Sequence, residues 1–235
     1  MNKIKPETKS ANEAIVKKQP SQKLDYFHGE LAEDAQFVGD WDIPYVESSD
    51  IVPDKLIIFS KCISSGDYDC WVVFYQDDKS FERLWNNPYK YLPILKKYAG
   101  VVCPDFSLYG DYPLSIQLFN VYRSRVIGHW LKQNGIKVIP NVRWSTKYTY
   151  SFCFDGLKKN DILFVGSHGC SKKKEDRKAF EDGLIEMVNR LEPRTICVYG
   201  KTNRPIFQTI MDKGITVVPF ESEFSLTHEV QYLWD

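Results

Sequence analysis

The sequence predicts an α/β protein with a mostly parallel sheet, arranged as an irregular or incomplete (β/α) barrel. Short apolar runs recur along the chain and are continuously apolar, which is typical of strands buried on both faces. Helical periodicities lie between several runs, and right-handed crossovers then make the strands parallel. There are as many as eight such runs, and this number of strands suits a (β/α) barrel. The connections 46–56 and 60–71 are too short for full helices, so an open doubly wound three-layer sheet is the alternative.

The elements follow in chain order. The predicted strands are 43–46, 56–60, 71–75, 101–104, 137–140, 162–166, 195–200 and 215–220. Segment 81–98 predicts a helix that is broken or kinked at Pro88 and Pro93, because proline removes a helical hydrogen bond. Residues 114–134 carry an apolar stripe at helical spacing, and Gly135 follows as a stop signal.

Two further helices complete the second half. The apolar spacing repeats in 175–191, with Pro193 beyond it, and a short helix is expected between Pro205 and Gly214. The first 25 residues are polar and carry few apolar groups, so we expect 1–25 to be a disordered tail. The remainder, 26–235, is expected to form a single domain.

Composition limits the classes of function. The chain has 31 Lys and Arg against 31 Asp and Glu, which disfavours binding of nucleic acid through the whole surface. No segment approaches the length of a membrane span, and no apolar stretch follows the charged start, so we expect a cytoplasmic protein. The six cysteines form no CxxC pair or Cys/His cluster, which predicts reduced thiols and no structural zinc site.

Candidate site residues follow the predicted strands. Ligands bind beyond the carboxyl ends of parallel strands, so polar groups there should line one pocket. Asp105 follows strand 101–104 and is a candidate base or ligand anchor, although a cap of the next turn is equally consistent with its position. His168 lies between two glycines after strand 162–166 and is the candidate acid or base that partners Asp105.

Candidate binding residues surround this pair. They are Arg123, Asn141, Arg143, Trp144, Ser167 and Gly169. Arg143 suits a phosphate or carboxylate, and Trp144 suits a base or sugar; the alternative is an ion pair with Asp105 or Asp155 and a packed indole. Arg123 lies near the buried stripe of its helix and needs an anionic partner from the protein or from a ligand.

Several of these segments resemble a known family. The runs are Val101-Val102-Cys103-Pro104-Asp105-Phe106-Ser107-Leu108-Tyr109, Asn120-Val121-Tyr122-Arg123, Val138-Ile139-Pro140-Asn141-Val142-Arg143-Trp144, Phe164-Val165-Gly166-Ser167-His168-Gly169-Cys170 and Val198-Tyr199-Gly200. They look like the domain of unknown function 4417 family over roughly 35–220. The resemblance implies a bacterial, phage or mobile-element context and no particular activity.

Three functions are consistent with these features. The first is an enzyme or binder of an anionic, nucleotide-like or phosphorylated small molecule, with no indicated cofactor and no required metal, although Asp105 and Glu221 could share one. The second is a nucleic-acid-associated accessory protein using basic residues and aromatic stacking. Its candidate contacts are Lys172, Lys173, Lys174, Arg177, Lys201, Arg204 and Trp144. The third is a protein-binding inhibitor. The sequence does not indicate the oligomeric state.

Overall fold

The computed structural model describes residues 26–167 and 174–222, so the predicted tail lies outside the described residues. The strands are β1 Phe37–Val38, β2 Ile43–Pro44, β3 Leu56–Ile58, β4 Trp71–Val73, β5 Gly100–Val102, β6 Val138–Ile139, β7 Ile162–Gly166, β8 Thr195–Tyr199 and β9 Thr216–Phe220. The helices are α1 Phe59–Cys62, α2 Asp78–Asn86, α3 Pro88–Leu95, α4 Leu114–Gln133, α5 Lys174–Leu191 and α6 Pro205–Met211. Short 3-10 helices span Gly29–Ala32 and Lys147–Ser151.

The parallel strands lie in the order of the chain. One sheet has the order β3-β4-β5-β6 and a second has the order β7-β8-β9, with every pairing parallel. A parallel bridge between Asn141 and Phe164 joins the two sheets. The Val142 amide donates to the Phe164 carbonyl at 2.8 Å across this junction. A strand order that never reverses is that of a barrel, whereas a doubly wound sheet requires a reversal.

The sheet is strongly curled. The rings of Tyr75, just beyond β4, and Tyr199, the last residue of β8, stack with centroids 4.4 Å apart. In a flat sheet these strands, four steps apart, would be separated by ~19 Å. Inward-facing side chains of β4 to β8 accordingly form one apolar cluster. No ladder joins β3 to β9 in the described ranges, so the architecture there is an incomplete (β/α) barrel. The predicted fold class is confirmed.

The outer face of the curled sheet carries the helices. Two further apolar clusters lie there, and α4 contributes to both of them, with Val126 in one and Val121 in the other. The helix approaches β5 closely because residue 128 is glycine: a Cβ at Gly128 would lie 2.4 Å from the Cys103 sulfur. This contact fixes the loop between β5 and α4, where the candidate Asp105 lies.

The first predicted strand differs from the sequence-based expectation, whereas the predicted break of helix 81–98 at Pro88 is confirmed. The first predicted strand, 43–46, contributes β2, which pairs antiparallel with β1 instead of joining the parallel sheet. The predicted helix 81–98 is two helices, α2 and α3, that break at Asn87, with Pro88 opening the second. Proline at the first helical position loses no hydrogen bond, which explains why the break falls there. Pro93 lies inside α3 without ending it.

In the two described ranges, none of the helices combines the length and apolarity needed to cross a membrane. The described cysteines are free thiols, and each is buried: Cys62, Cys70, Cys103, Cys153 and Cys197. Cys170 lies outside the described residues.

Candidate functional site

A hydrogen-bonded cluster lies at the carboxyl edge of β5 and β6. Asp105 follows β5 by three positions, and Asn141 and Arg143 follow β6 by two and four. The Asn141 amide nitrogen donates to Asp105 Oδ1 at 2.8 Å. Arg143 Nη1 donates to Asp105 Oδ2 at 2.8 Å. Because β5 and β6 are parallel neighbours, their ends meet at one edge, and both oxygens of Asp105 receive a donor from the adjacent strand end.

Tyr75 extends this cluster into the barrel. It follows β4 by two residues, and its hydroxyl donates to Asn141 Oδ1 at 2.7 Å. The ring passes beneath the end of β7, where a Cβ on Gly166 would lie 2.8 Å from Tyr75 Cε1. Glycine at 166 therefore makes room for the ring. The hydrogen bonds run in one chain from Tyr75 through Asn141 to Asp105.

Burial dominates the electrostatics of the Asp105 carboxylate. Its side chain is only 9% exposed. Desolvation raises the pKa of Asp105 above its ordinary value, and the charge of Arg143 and the hydrogen bond from Asn141 oppose the rise. Asp78 adds a smaller upward effect on this pKa. A buried carboxyl group with a raised pKa is suited to exchange a proton with a ligand.

An open cavity of about 380 Å³ adjoins the cluster. Its walls come from the β5–α4 loop, the segment after β6, the end of β7 and the first turns of α5. They combine apolar surface with hydroxyl groups and charges of both signs. The lining residues used below are Tyr109, Arg143, Trp144, Gly166, Asp176 and Phe180. Arg143 belongs both to this wall and to the Asp105 pair, and its side chain is 29% exposed. The volume is in the range of small-molecule sites.

Trp144 is a packed wall of the cavity. Its indole nitrogen donates to the Ala179 carbonyl at 3.2 Å, and its ring lies 5.6 Å from that of Phe180. A Cβ on Gly183 would lie 2.1 Å from the indole nitrogen, so α5 packs directly on this ring. The indole is thus held in place by α5. A ligand in the cavity could contact only the part of the indole surface that lines the cavity.

Arg123 lies in a neighbouring network on the helical side. Its Nη1 forms an ion pair with Glu82 Oε1 at 2.5 Å, and its Nη2 donates to Asn120 Oδ1 at 2.8 Å. The guanidinium carbon lies 3.8 Å from the ring centroid of Phe106. The anionic partner that the sequence requires for Arg123 therefore comes from the protein, and this guanidinium does not line the cavity.

The segment after β7 is described only to Ser167. The Ser167 hydroxyl donates to the Lys201 carbonyl at 3.0 Å, and this bond ties the ends of β7 and β8 together. His168 and Gly169, two of the predicted site residues, lie outside the described residues, as do Lys172 and Lys173.

Two polar side chains of this region were not selected from the sequence as small-ligand contacts. Tyr75 ends the predicted strand 71–75, so the strand-end rule that selected Asp105 could also have selected it. Arg204 follows β8, and its guanidinium carbon lies 5.2 Å from the ring centroid of Phe180. Its Nη1 is buried and has no hydrogen-bond partner in the described structure. Only the folded structure reveals that Nη1 lacks a partner among the described residues.

A metal site is not apparent in the described part of the chain. Within residues 26–167 and 174–222, no group of three or more His, Cys, Asp or Glu side chains could hold a metal ion. Asp105 and Glu221 therefore do not belong to such a group there. The polar contacts of Asp105 are an amide and a guanidinium, which are donors and not metal ligands.

Comparisons with known proteins give a family and phage relatives. A family model described as "Domain of unknown function (DUF4417)" matches residues 35–221. The chain is 34% identical over 165 residues to a Gene 1 protein of Mycobacterium phage L5, covering 68% of this chain and 72% of that protein. It is 38% identical over 128 residues to a Gene 1 protein of Mycobacterium phage D29, covering 54% of this chain and 47% of that protein. No solved structure matches the chain.

Proposed function

The chain belongs to the DUF4417 family, as its motifs predicted, and because that membership names no ligand, we propose a function from the site itself. The protein binds a small anionic molecule, nucleotide-like or phosphorylated, in the cavity at the carboxyl edge of the sheet. Arg143 holds the negative charge, and Asp105 exchanges a proton with the bound molecule. The Gene 1 proteins of two mycobacteriophages support a phage or mobile-element role for the chain.

The shared position of Arg143 carries this proposal. One side of its guanidinium contacts the buried Asp105 carboxylate at 2.8 Å, and the same side chain forms part of the cavity wall. A guanidinium presents several N–H donors in a fixed plane, which suits phosphate and carboxylate groups. The pairing with Asp105 fixes that plane before a ligand arrives, which lowers the ordering cost of binding.

The unsatisfied donor on Arg204 supports an anionic ligand. Arg204 lies over Phe180, a wall of the cavity, and its buried Nη1 has no acceptor in the described structure. A buried donor without an acceptor costs free energy, so an anionic group entering beside Phe180 would supply a missing partner. The aromatic surfaces of Phe180 and Trp144 would contact the apolar part of the same ligand.

The acid–base role is assigned to Asp105 together with His168. Burial raises the pKa of Asp105, and its ion pair with Arg143 connects the carboxylate to a side chain of the cavity wall. His168 directly follows Ser167 in the sequence, two positions after Gly166, the last residue of β7, which lines the cavity. A carboxylate and an imidazole with different environments are a common acid–base combination.

Calorimetry on the full chain tests the binding step. The ligands are nucleoside mono- and triphosphates, sugar phosphates and inorganic phosphate, guided by native mass spectrometry of any molecule retained through purification. We expect saturable binding of one class, weakened at least about tenfold by Arg143→Met, which is about 1.4 kcal/mol. The control is Arg194→Met, which removes an arginine paired with Asp50 near the start of β8, at the opposite edge. Equal affinity of wild type and Arg143→Met, with both folded, would contradict the assignment.

A nucleic-acid-associated role is the second candidate. Exposed tyrosines favour it: Tyr109 lines the cavity and is 51% exposed, and Tyr148, two positions after the lining residue Thr146, is 64% exposed. Exposed aromatic rings can stack on unpaired bases. The equal numbers of acidic and basic residues oppose it. Fluorescence anisotropy with single-stranded oligonucleotides separates the two functions, because binding through many phosphates weakens by orders of magnitude between about 50 and 200 mM salt. Salt-insensitive small-molecule binding without oligonucleotide binding supports the first function.

A further inference from the structure

We propose that Tyr75 is a positioning residue that fixes the orientation of the Asn141 side-chain amide and thereby holds a donor on Asp105. This role rests on the proposed function, because Tyr75 affects a ligand only through Asp105. It also goes beyond the residues that the sequence suggested, since Tyr75 lies two residues beyond β4 and does not line the cavity.

The direction of each hydrogen bond carries the inference. An amide side chain can rotate by a half-turn, which exchanges its acceptor oxygen and its donor nitrogen. Asn141 Oδ1 lies 2.7 Å from the Tyr75 hydroxyl, and its nitrogen lies 2.8 Å from Asp105 Oδ1. If the amide rotated, its nitrogen would face the hydroxyl and its oxygen would face the carboxylate. Two acceptors would then oppose each other at Asp105.

Tyr75 opposes that rotation because its hydroxyl proton would then lose its acceptor, Asn141 Oδ1. Desolvation, and then the negative charge of Asp105, raise the pKa of Tyr75 well above its ordinary value, so the hydroxyl keeps its proton. The ring itself is fixed by stacking on Tyr199, with the ring centroids 4.4 Å apart, and by the close approach of Gly166 on another side. A fixed ring and a permanent donor select one amide orientation, and that orientation stabilises the charged form of Asp105.

The substitution Tyr75→Phe removes the donor and keeps the ring. We expect the Asp105 pKa to rise relative to wild type, because a freely rotating amide presents its oxygen to Asp105 for part of the time and favours the protonated carboxyl. The matched control is Tyr98→Phe, which deletes a buried hydroxyl that donates to the Cys62 carbonyl at 2.6 Å, away from the site. Both variants lose a buried hydrogen bond, but only the first is expected to move the Asp105 pKa.

The measurement is a carbon NMR titration of the ligand-free full chain labelled at aspartate carboxyls, with Asp105→Asn for assignment. An upward shift in Tyr75→Phe but not in Tyr98→Phe supports the role, and an unchanged Asp105 pKa overturns it. Should Tyr75→Phe fail to fold, the wild-type protein still decides: the Asn141 side-chain amide signals must titrate with Asp105, and signals indifferent to that titration overturn the role. Because no ligand is present, failure here leaves the proposed ligand binding separately testable.

Discussion

Arg143 and Asp105 lie 38 positions apart in the chain and are joined at 2.8 Å across neighbouring strand ends. The carboxylate is buried, whereas the guanidinium reaches the cavity wall. The pair therefore links the interior of the barrel to the one place where a ligand is proposed to bind. Removing either partner has different consequences for stability and for binding, and these can be measured separately.

The first prediction concerns the stability of this pair. Arg143→Met should lower the free energy of unfolding by about 1–3 kcal/mol, because it leaves a buried carboxylate without its charged partner. The double variant with Asp105→Asn should recover part of that loss, with a coupling of about 0.5–3 kcal/mol. Urea denaturation of the four proteins measures the cycle. Additive losses would mean that the two side chains do not interact in solution.

The second prediction concerns glycine at 166. Gly166→Ala should destabilise the protein by about 1–3 kcal/mol, because the new methyl group would lie 2.8 Å from the Tyr75 ring and must displace it. Gly66→Ala is the control, since nothing lies within 4 Å of a Cβ there. That variant should be neutral or stabilising by up to about 1 kcal/mol. Thermal or urea denaturation gives both values, and equal stability of the two variants would contradict the contact.

The third prediction concerns pH and Asp155. Desolvation raises the pKa of Asp155 to about 6 from its ordinary value of 3.8. The charges of Arg125 and Arg190 oppose this rise, and the charge of Asp40 adds to it. The folded state therefore binds this proton more tightly than the unfolded chain. Its stabilising contribution is complete below about pH 4 and is lost as the pH rises through about 6. Asp155→Asn removes this dependence.

Urea denaturation of wild type and Asp155→Asn between about pH 4 and pH 7 checks the direction. Relative to the variant, the wild type should lose stability as the pH rises across that window. The comparison matters because Glu47 acts in the opposite direction: hydrogen bonds from Lys132 and Lys158 lower its pKa to about 2. A stability difference between the two proteins that stays constant with pH would contradict the raised pKa of Asp155.

The fourth prediction concerns the thiols. Burial raises the pKa of Cys103 to about 11 and that of Cys153 and Cys197 to about 12, so these thiols should react slowly with thiol reagents in the native protein. Denaturation without reductant should expose all six cysteines of the chain as free thiols. Titration with a chromogenic disulfide reagent counts them. Fewer than six, with mapped disulfides, would contradict the reduced state expected from their spacing.

Local sequence pattern was enough to predict the alternation of strands and helices and part of the site. Continuous apolar runs such as 162–166 and 195–200 can be buried only on both faces of a sheet, so the parallel core was predictable from local pattern. The position of Asp105 and Asn141 directly after such runs was enough to place them at one edge. Both inferences depend on neighbouring residues and on the geometry of adjacent strands.

The partners of these side chains depend on how the elements pack in three dimensions. Arg123 could have met a ligand or a protein carboxylate, and the packing of α4 against α2 supplies Glu82, 41 positions away. Tyr75 reaches Asn141, 66 positions along, because the sheet curls until β4 and β8 meet inside it. Local periodicity specifies which face of a helix or strand is buried. The distance between side chains on two non-adjacent strands is set by the curl of the whole sheet. Contacts between non-adjacent strands therefore follow from the summed twist and packing of all the elements.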